Sequence, residues 1–316
     1  MNLYGGIDLG GTKIYSIVAG ADGSVLGEDE RPTLPDHGLE VCIERMTESL
    51  AAAASSAGTA TSALAAVGVA APGPIEFRDG IVSAAPNLGW TDVPLRSFLS
   101  DRLGVNVVLE NDANAAAYGE FIYGAGTPYD TIIYVTVSTG IGGGFILDRR
   151  LFQGASGAAA EVGHMVVEPD GPICNCGSVG CLEMLASGTA IGRSATAAVE
   201  GGRDTILREL AADPTEVTAE VVAEAAARGD AVANEILDDA ARYIGIAFGT
   251  LINLLNPQAI IVGGGVSRLG ARMIEPITAE ARRRSFRQSF EDCLILPAAL
   301  GRRVGALGTV ALAADA

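Results

Sequence analysis

Apolar and polar positions alternate through the first thirty residues in a way that predicts three strands. Leu3 to Leu9 reads as a strand that runs into the turn Asp8-Leu9-Gly10-Gly11-Thr12-Lys13, and strand patterns follow at Ile14 to Ala19 and Ser24 to Asp29. The first two, joined by a glycine turn, make a hairpin. Leu39 to Ala57 has helical composition, Leu64 to Ala70 reads as a buried strand and Val105 to Glu110 as another. Helical pattern resumes at Asp112, and Asn111-Asp112-Ala113-Asn114 offers good capping residues, so an acidic pair falls where a strand ends and a helix begins.

The second half repeats this plan. Thr131 to Val137 is a β-branched strand, Ser138 to Gly144 a glycine-rich turn, and Phe145 to Leu147 the start of a return strand. Helices are predicted over Val217 to Arg228 and Ala231 to Leu255, then a strand from Ala259 to Val262 ending in Gly263-Gly264-Gly265, and a closing small-residue helix from Gly301 to Ala314. Strand, glycine turn, strand at the head of each half suggests a duplicated domain. The mixture of elements predicts an α/β fold.

A chain of 316 residues with 49% hydrophobic content can bury a large core and favours two domains. Apolar runs such as Asp130 to Thr139 are too short and interrupted to span a bilayer, and no basic segment precedes the first strand, so a cytoplasmic protein with no membrane partner is expected. The net charge of −17 argues against a nucleic-acid partner, because such binding rests on Lys and Arg patches that displace counterions. Lys13 is the single lysine, and it lies in the first glycine loop.

Three of the five cysteines and one of the two histidines crowd into Glu161-Val-Gly-His164 and Cys174-Asn-Cys176-Gly-Ser-Val-Gly-Cys181-Leu-Glu183. Three thiolates and an imidazole make a closed tetrahedral structural zinc site, with no open position for water. Glu161 and Glu183 are carboxylates such a site does not need, and they read as substrate ligands that the metal holds in place. Cys42 and Cys293 are left as core or surface thiols.

Glycine loops at strand ends let backbone N–H groups approach phosphate oxygens. Neither G-x-x-x-x-G-K-[ST] nor a dinucleotide fingerprint is present, since Gly140-Ile141-Gly142 leads into a strand pattern and not a helix. One such turn is more often a plain hairpin. Three at strand ends, one carrying Asp8 and Thr12-Lys13, favour a phosphate site.

Asp8-Leu-Gly-Gly-Thr12, Glu110-Asn-Asp-Ala-Asn114, Ser138-Thr-Gly-Ile-Gly-Gly-Gly144, Glu161-Val-Gly-His164, the cysteine segment to Glu183 and Gly263-Gly-Gly265 together resemble, in order, the motifs of the ROK family (repressors, open reading frames, kinases). The resemblance runs from Gly6 to about Gly308 and is closest to the family's bacterial ATP-dependent glucokinases. It implies a two-lobed actin-like, ribonuclease-H-like fold with duplicated βββαβα domains. The expected lobes are 1–115 with the C-terminal helix 301–316, and 116–300 with the zinc segment 161–183. Family members close the two lobes over the sugar, which excludes water as a competing acceptor.

The same resemblance implies roles. Asp112 matches the catalytic aspartate that takes the proton of the attacking sugar hydroxyl. Asn111, Glu161, His164 and Glu183 match the sugar set, with His164 placing one ring nitrogen on zinc and the other toward the sugar. Gly73 and Asn87, in Ala71-Pro-Gly-Pro74 and Pro86-Asn-Leu-Gly-Trp90, are either sugar contacts or members of surface turns. Asp8 would position hydrated Mg2+. Gly11, Thr12 and Lys13, with Thr139 and Gly140, would meet the ATP phosphates, and Gly264 and Gly265 would line the adenosine. The zinc ligands would be His164, Cys174, Cys176 and Cys181.

The expectation is therefore an ATP-dependent kinase for the 6-hydroxyl of glucose, using ATP, Mg2+ and a structural Zn2+ and assembling as a homodimer or homotetramer. Alternatives are kinases for N-acetylmannosamine, fructose or allose, a sugar-responsive repressor, and a zinc-stabilised sugar-binding protein without catalysis. With the phosphate loop at Asp8, no helix-turn-helix of a repressor is expected before it, and polyphosphate-using relatives resemble the zinc segment less, so ATP is the expected donor.

Overall fold

A computed structural model describes residues 2–211, 213 and 217–316. The chain begins with strands β1 (Leu3–Leu9), β2 (Lys13–Gly20) and β3 (Val25–Pro32), then helix α1 (Leu39–Ser56) and strands β4 (Ala66–Ala71), β5 (Ile75–Glu76), β6 (Ile81–Ala85) and β7 (Trp90–Val93). Helix α2 (Leu95–Leu103), strand β8 (Val107–Asn111) and helix α3 (Asp112–Tyr123) complete this part. Strands β9 (Ile132–Val137), β10 (Ile141–Leu147) and β11 (Arg150–Leu151) come next. Helices α4 (Glu183–Ala186), α5 (Gly188–Glu200), α6 (Leu207–Leu210), α7 (Ala219–Ala227) and α8 (Ala231–Leu255) precede β12 (Ala259–Gly263). Helices α9 (Ala271–Arg284) and α10 (Arg287–Glu291), strand β13 (Leu294–Pro297) and helix α11 (Val304–Asp315) end the chain.

Two five-stranded sheets have the orders β3-β2-β1-β4-β8 and β11-β10-β9-β12-β13. Each reads third, second, first, fourth, fifth in chain order, so the duplication suggested by two strand–turn–strand patterns is a duplication of topology. In the first sheet β1 pairs antiparallel with β2 and parallel with β4, and β4 runs parallel to β8. In the second, β12 lies parallel to both β9 and β13. A small sheet of order β5-β6-β7 follows β4.

The chain divides into two compact units: Met1–Asp130 with Gly144–Ala160 and Ala299–Ala316, and Thr131–Gly143 with Glu161–Ala298. In the first unit β4 is buried at every position, as a central parallel strand covered on both faces must be. On one side Ile7, Leu9, Val67 and Val69 pack with Ile43, Met46 and Leu50 of α1. On the other, α11 lies almost on the backbone. A Cβ added at Gly6 would sit 2.4 Å from the Ala306 carbonyl oxygen, and one at Gly68 2.0 Å from that of Thr309.

In the second unit β12 is wholly buried. The 25-residue α8 starts on Asp230, whose Oδ1 accepts the Ala233 N–H at 2.8 Å, and turns its Ile244, Phe248 and Ile252 face inward. Glycines 245 and 249 let α9 approach closely: a Cβ at Gly245 would lie 2.8 Å from the Ile277 oxygen.

Several expectations shift. The return strand begins at Ile141, not Phe145, because Gly142, Gly143 and Gly144 belong to the ladder; at Gly144 a Cβ would collide with α3, 2.8 Å from the Ala113 oxygen. Helix α7 starts at Ala219 because Thr218 caps it, its Oγ1 accepting the Val221 N–H at 3.4 Å. The terminal helix starts at Val304 after a 3-10 turn over Gly301–Arg303. The units also differ from lobes cut at residue 115. Helix α3 lies whole in the first unit, held on α11 by contact so close that a Cβ at Gly308 would sit 1.7 Å from the Ala115 oxygen, and residues 144–160 return to it.

Candidate active site

In the first unit the parallel strands β1, β4 and β8 end on one edge of the sheet, the edge where open α/β sheets bind ligands. Register puts Asp8 beside Ala70, Ala70 beside Glu110, and Ala71 beside Asn111. Asn111 is the N-cap of α3: its Oδ1 accepts the N–H groups of Ala113 at 2.9 Å and Asn114 at 3.3 Å, and its Nδ2 donates to the Gly73 carbonyl at 3.2 Å. Gly73 is at φ 94°, where a Cβ would lie 1.9 Å from the Ala84 oxygen, so glycine is required for the carbonyl to meet Asn111. Asp112 follows as the first helical residue, its Oδ1 accepting the Ala113 N–H at 2.8 Å.

Burial, reinforced by the charge of Asp112 and opposed by Lys13, pushes the Asp8 carboxyl up to about 7. Two carboxylates that resist ionising together at a sheet edge offer the oxygen donors that a hard divalent cation such as magnesium takes. The β1–β2 turn lies close by: a Cβ at Gly11 would be 3.3 Å from Cβ of the exposed Asn87, which stands on a 3-10 turn before β7. Thr12 and Lys13 are exposed. The Thr12 carbonyl accepts the Thr33 N–H at 3.0 Å, and Lys13 Nζ reaches Glu30 at 3.2 Å.

In the second unit the side-chain donors of His164, Cys174, Cys176 and Cys181 lie within 4.8 Å of one another. Cys174 Sγ is 3.6 Å from His164 Nδ1, and Cys176 Sγ is 3.7 Å from Cys181 Sγ. A tetrahedron with metal–sulfur bonds of about 2.3 Å has edges of about 3.8 Å, close to these two separations, so the cluster is one that could hold a metal ion such as zinc. A tight turn presents them, with Gly177 N–H on the Cys174 carbonyl at 2.9 Å and Cys174 N–H on that of Ser178 at 2.7 Å. Cys42 and Cys293 stand apart as buried thiols.

The cysteine segment rests on the start of β10. A Cβ at Gly163 would lie 2.1 Å from the Ile141 oxygen, and Glu183 Oε2 accepts the Ile141 N–H at 2.9 Å. Glu161, exposed, precedes the 3-10 turn Val162–His164.

The same unit holds a cavity of about 710 Å³. Ile191, Val217, Leu237 and Val266 give it apolar walls, while Ser138 and Thr139 at the end of β9, with Gly265, form part of its lining. Thr189, at the start of α5, donates through Oγ1 to the Thr139 carbonyl at 2.8 Å. Of the four residues expected to meet nucleotide here, Thr139 and Gly265 line the cavity. Gly140 and Gly264 are not among its lining residues: Gly140 packs on the Glu183 carboxylate, and Gly264, at φ 80°, on the backbone of Val137. The lining residues Thr189, Arg193, Glu220 and Arg268 escaped sequence reasoning, since each sits on a surface helix or turn with no motif of its own.

Known proteins bear on this arrangement. A glucokinase of Thermotoga maritima is 39% identical over 273 residues, covering 86% of this chain and 84% of its own length. A xylose repressor of Caldicellulosiruptor bescii is 32% identical over 308 residues, covering 97% of this chain and 77% of its own. Among solved structures, that of a ROK family glucokinase from Streptomyces griseus in complex with glucose and AMPPNP superimposes with a TM-score of 0.87 at 36% identity and full coverage of both chains. The duplicated strand order is thus the actin-like fold expected from the motifs. The ROK family profile matches residues 4–316, and the chain belongs to the ROK family.

Proposed function

We propose that this chain is an ATP-dependent kinase that phosphorylates the 6-hydroxyl of glucose, with Asp112 as the base. The observation that carries the reading is the placement of Asp112 at the β8–α3 junction beside a second carboxylate, Asp8, whose proton affinity it raises. Likeness to two glucokinases over nearly the whole chain supports the same reaction class.

In the proposed step the Asp112 carboxylate accepts a hydrogen bond from the sugar hydroxyl and takes its proton as that oxygen bonds to the γ-phosphorus. The bond from the γ-phosphorus to the bridging oxygen breaks, and ADP leaves with the electron pair. Magnesium, when bound, neutralises charge on the phosphate oxygens, and Asp8 is the carboxylate that would hold it through water. Gly11, Thr12 and Lys13 on the first unit, and Thr139 with Gly140 on the second, would offer donors to phosphate. The apolar slot beside Gly264 and Gly265 is of a size and character to take adenosine.

Asn111, Gly73 and Asn87 are the proposed polyol contacts on the first unit, and Glu161, His164 and Glu183 on the second. His164 turns Nδ1 to the cysteines, which leaves Nε2 as the nitrogen for a sugar hydroxyl. Zinc, when bound, fixes that tautomer.

The test is a coupled ADP-release assay with magnesium-ATP against glucose, N-acetylmannosamine, fructose, allose and xylose. Glucose should give the highest kcat/KM. Likeness to a xylose repressor favours one other reading, a sugar-responsive regulator. Absence of turnover with every sugar, together with a band shift on promoter DNA at physiological salt, would establish that reading instead.

A further inference from the structure

Glu110 immediately precedes the Asn111–Asp112 pair, and the step above gives it no part. It is 3% exposed. Its Oε1 accepts the Asn111 backbone N–H at 2.9 Å and Asn114 Nδ2 at 3.0 Å, and its Oε2 accepts Gln153 Nε2 at 2.6 Å. All three partners are neutral amides. Burial pushes its carboxyl above the usual carboxylate range despite these bonds.

A carboxylate held this way is an unfavourable structural element, because its desolvation penalty is offset only in part by neutral donors. An apolar side chain would fill the space at lower cost. What the carboxylate supplies is geometry. Oε1 holds the last residue of β8 and the first turn of α3 together, and Oε2 reaches across to the segment after β11, where the Gln153 carbonyl in turn accepts the Ala159 N–H at 3.3 Å. Asn114, 2% exposed, donates its own N–H to the Asn111 cap, so backbone and side chain of Asn111 are both committed.

We propose that Glu110 is a positioning residue for phosphoryl transfer: its three hydrogen bonds clamp the β8–α3 junction and so fix the direction from which the Asp112 carboxylate meets the sugar hydroxyl. Glu110 acts through Asn111 and Asp112 and touches no substrate. The inference rests on Asp112 being the base. A misplacement of about 1 Å at such a group lowers rate by about a hundredfold, which is the scale at stake.

The test compares Glu110→Ala, Glu110→Gln and Gln153→Leu with Asp112→Asn, at a temperature well below each thermal midpoint measured by circular dichroism. Glu110→Gln can keep all three bonds, with Oε1 on Asn111 and Asn114 and its new amide meeting a rotated Gln153 side chain. It should retain turnover within about threefold. Glu110→Ala should lower kcat at least about thirtyfold while KM for magnesium-ATP stays within about twofold, and Gln153→Leu should lower kcat about fivefold or more.

Wild-type kcat in folded Glu110→Ala would overturn the inference, as would Glu110→Gln being as impaired as Glu110→Ala, which would make the charge itself the active feature. If Glu110→Ala does not fold, unchanged kcat in Gln153→Leu overturns it and a fivefold loss sustains it. Normal turnover in Asp112→Asn would remove the underlying reading as well. An inactive Asp112→Asn beside unimpaired Glu110→Ala and Gln153→Leu would remove the clamp alone.

Discussion

Glu183 Oε2 accepts the backbone N–H of Ile141 at 2.9 Å, which binds the exit of the cysteine segment to the strand that follows the second glycine turn. The turn is closed on itself, with Ser138 N–H on the Gly140 carbonyl at 2.9 Å, and it leads directly to the cavity lining at Ser138 and Thr139. One carboxylate therefore belongs to the proposed sugar set and also holds the turn proposed to meet nucleotide.

Glu183→Ala should on this basis raise KM for glucose by about tenfold or more and KM for ATP by a smaller, severalfold factor, since an unmade hydrogen bond to a buried N–H costs about 1–3 kcal/mol. Steady-state titration of each substrate decides it. An ATP KM equal to wild type would separate Glu183 from the turn.

Cys176 offers a clean test of the metal because its thiol is exposed while Cys174 and Cys181 are buried. Purified protein should carry about one zinc per chain by elemental analysis, and Cys176→Ala should lose both the zinc and glucose affinity while the second unit's cavity keeps ATP binding. Zinc-free protein with full glucose affinity would return these cysteines to the role of packing residues.

Neighbouring glycines 264 and 265 should respond oppositely. Gly264 combines φ 80° with a backbone oxygen 2.3 Å from any added Cβ, so Gly264→Ala should destabilise by about 2–4 kcal/mol. Gly265 has open space at that position and lines the cavity, so Gly265→Ala should hold stability within about 1 kcal/mol and weaken nucleotide binding. Thermal melts with and without ATP analogue distinguish the two. Equal destabilisation would contradict the packing described for Gly264.

Asp8 gives a pH dependence of definite sign. Its folded carboxyl is raised to about 7, so between pH about 4 and 7 the folded chain keeps a proton that the unfolded chain has released. Its contribution to stability is complete below that window and lost as pH rises through 7, by up to about 4 kcal/mol in magnesium-free protein. The stability difference between wild type and Asp8→Asn, measured by urea melts from pH 4 to 8, should move against wild type as pH rises. A flat difference would mean that Asp8 is an ordinary carboxylate.

Much of the fold was legible because its elements obey local rules. Strand β1 and helix α8 stand where their apolar periods put them, and the cap at Asn111 is one its residue type announces. The small β5-β6-β7 sheet and helices α2, α5 and α9 were not read, because short strands and helices that pack on a core already built carry weak periodicity. The cysteine cluster was legible from donor chemistry alone. The roles of Glu110 and Arg268 were not, since Glu110 completes its hydrogen bonds on Gln153, 43 residues away in the chain, and Arg268 lines a cavity that exists only once the helices have packed.

The most direct measurement is the turnover of Asp112→Asn with saturating glucose and magnesium-ATP, beside glucose binding followed by fluorescence of Trp90, the single tryptophan, buried on β7 just after the Asn87 turn. The expected result is a fall in kcat of about two orders of magnitude or more, the scale for losing a positioned base, with glucose still bound. Turnover within a few fold of wild type would contradict the assignment of Asp112 as the base.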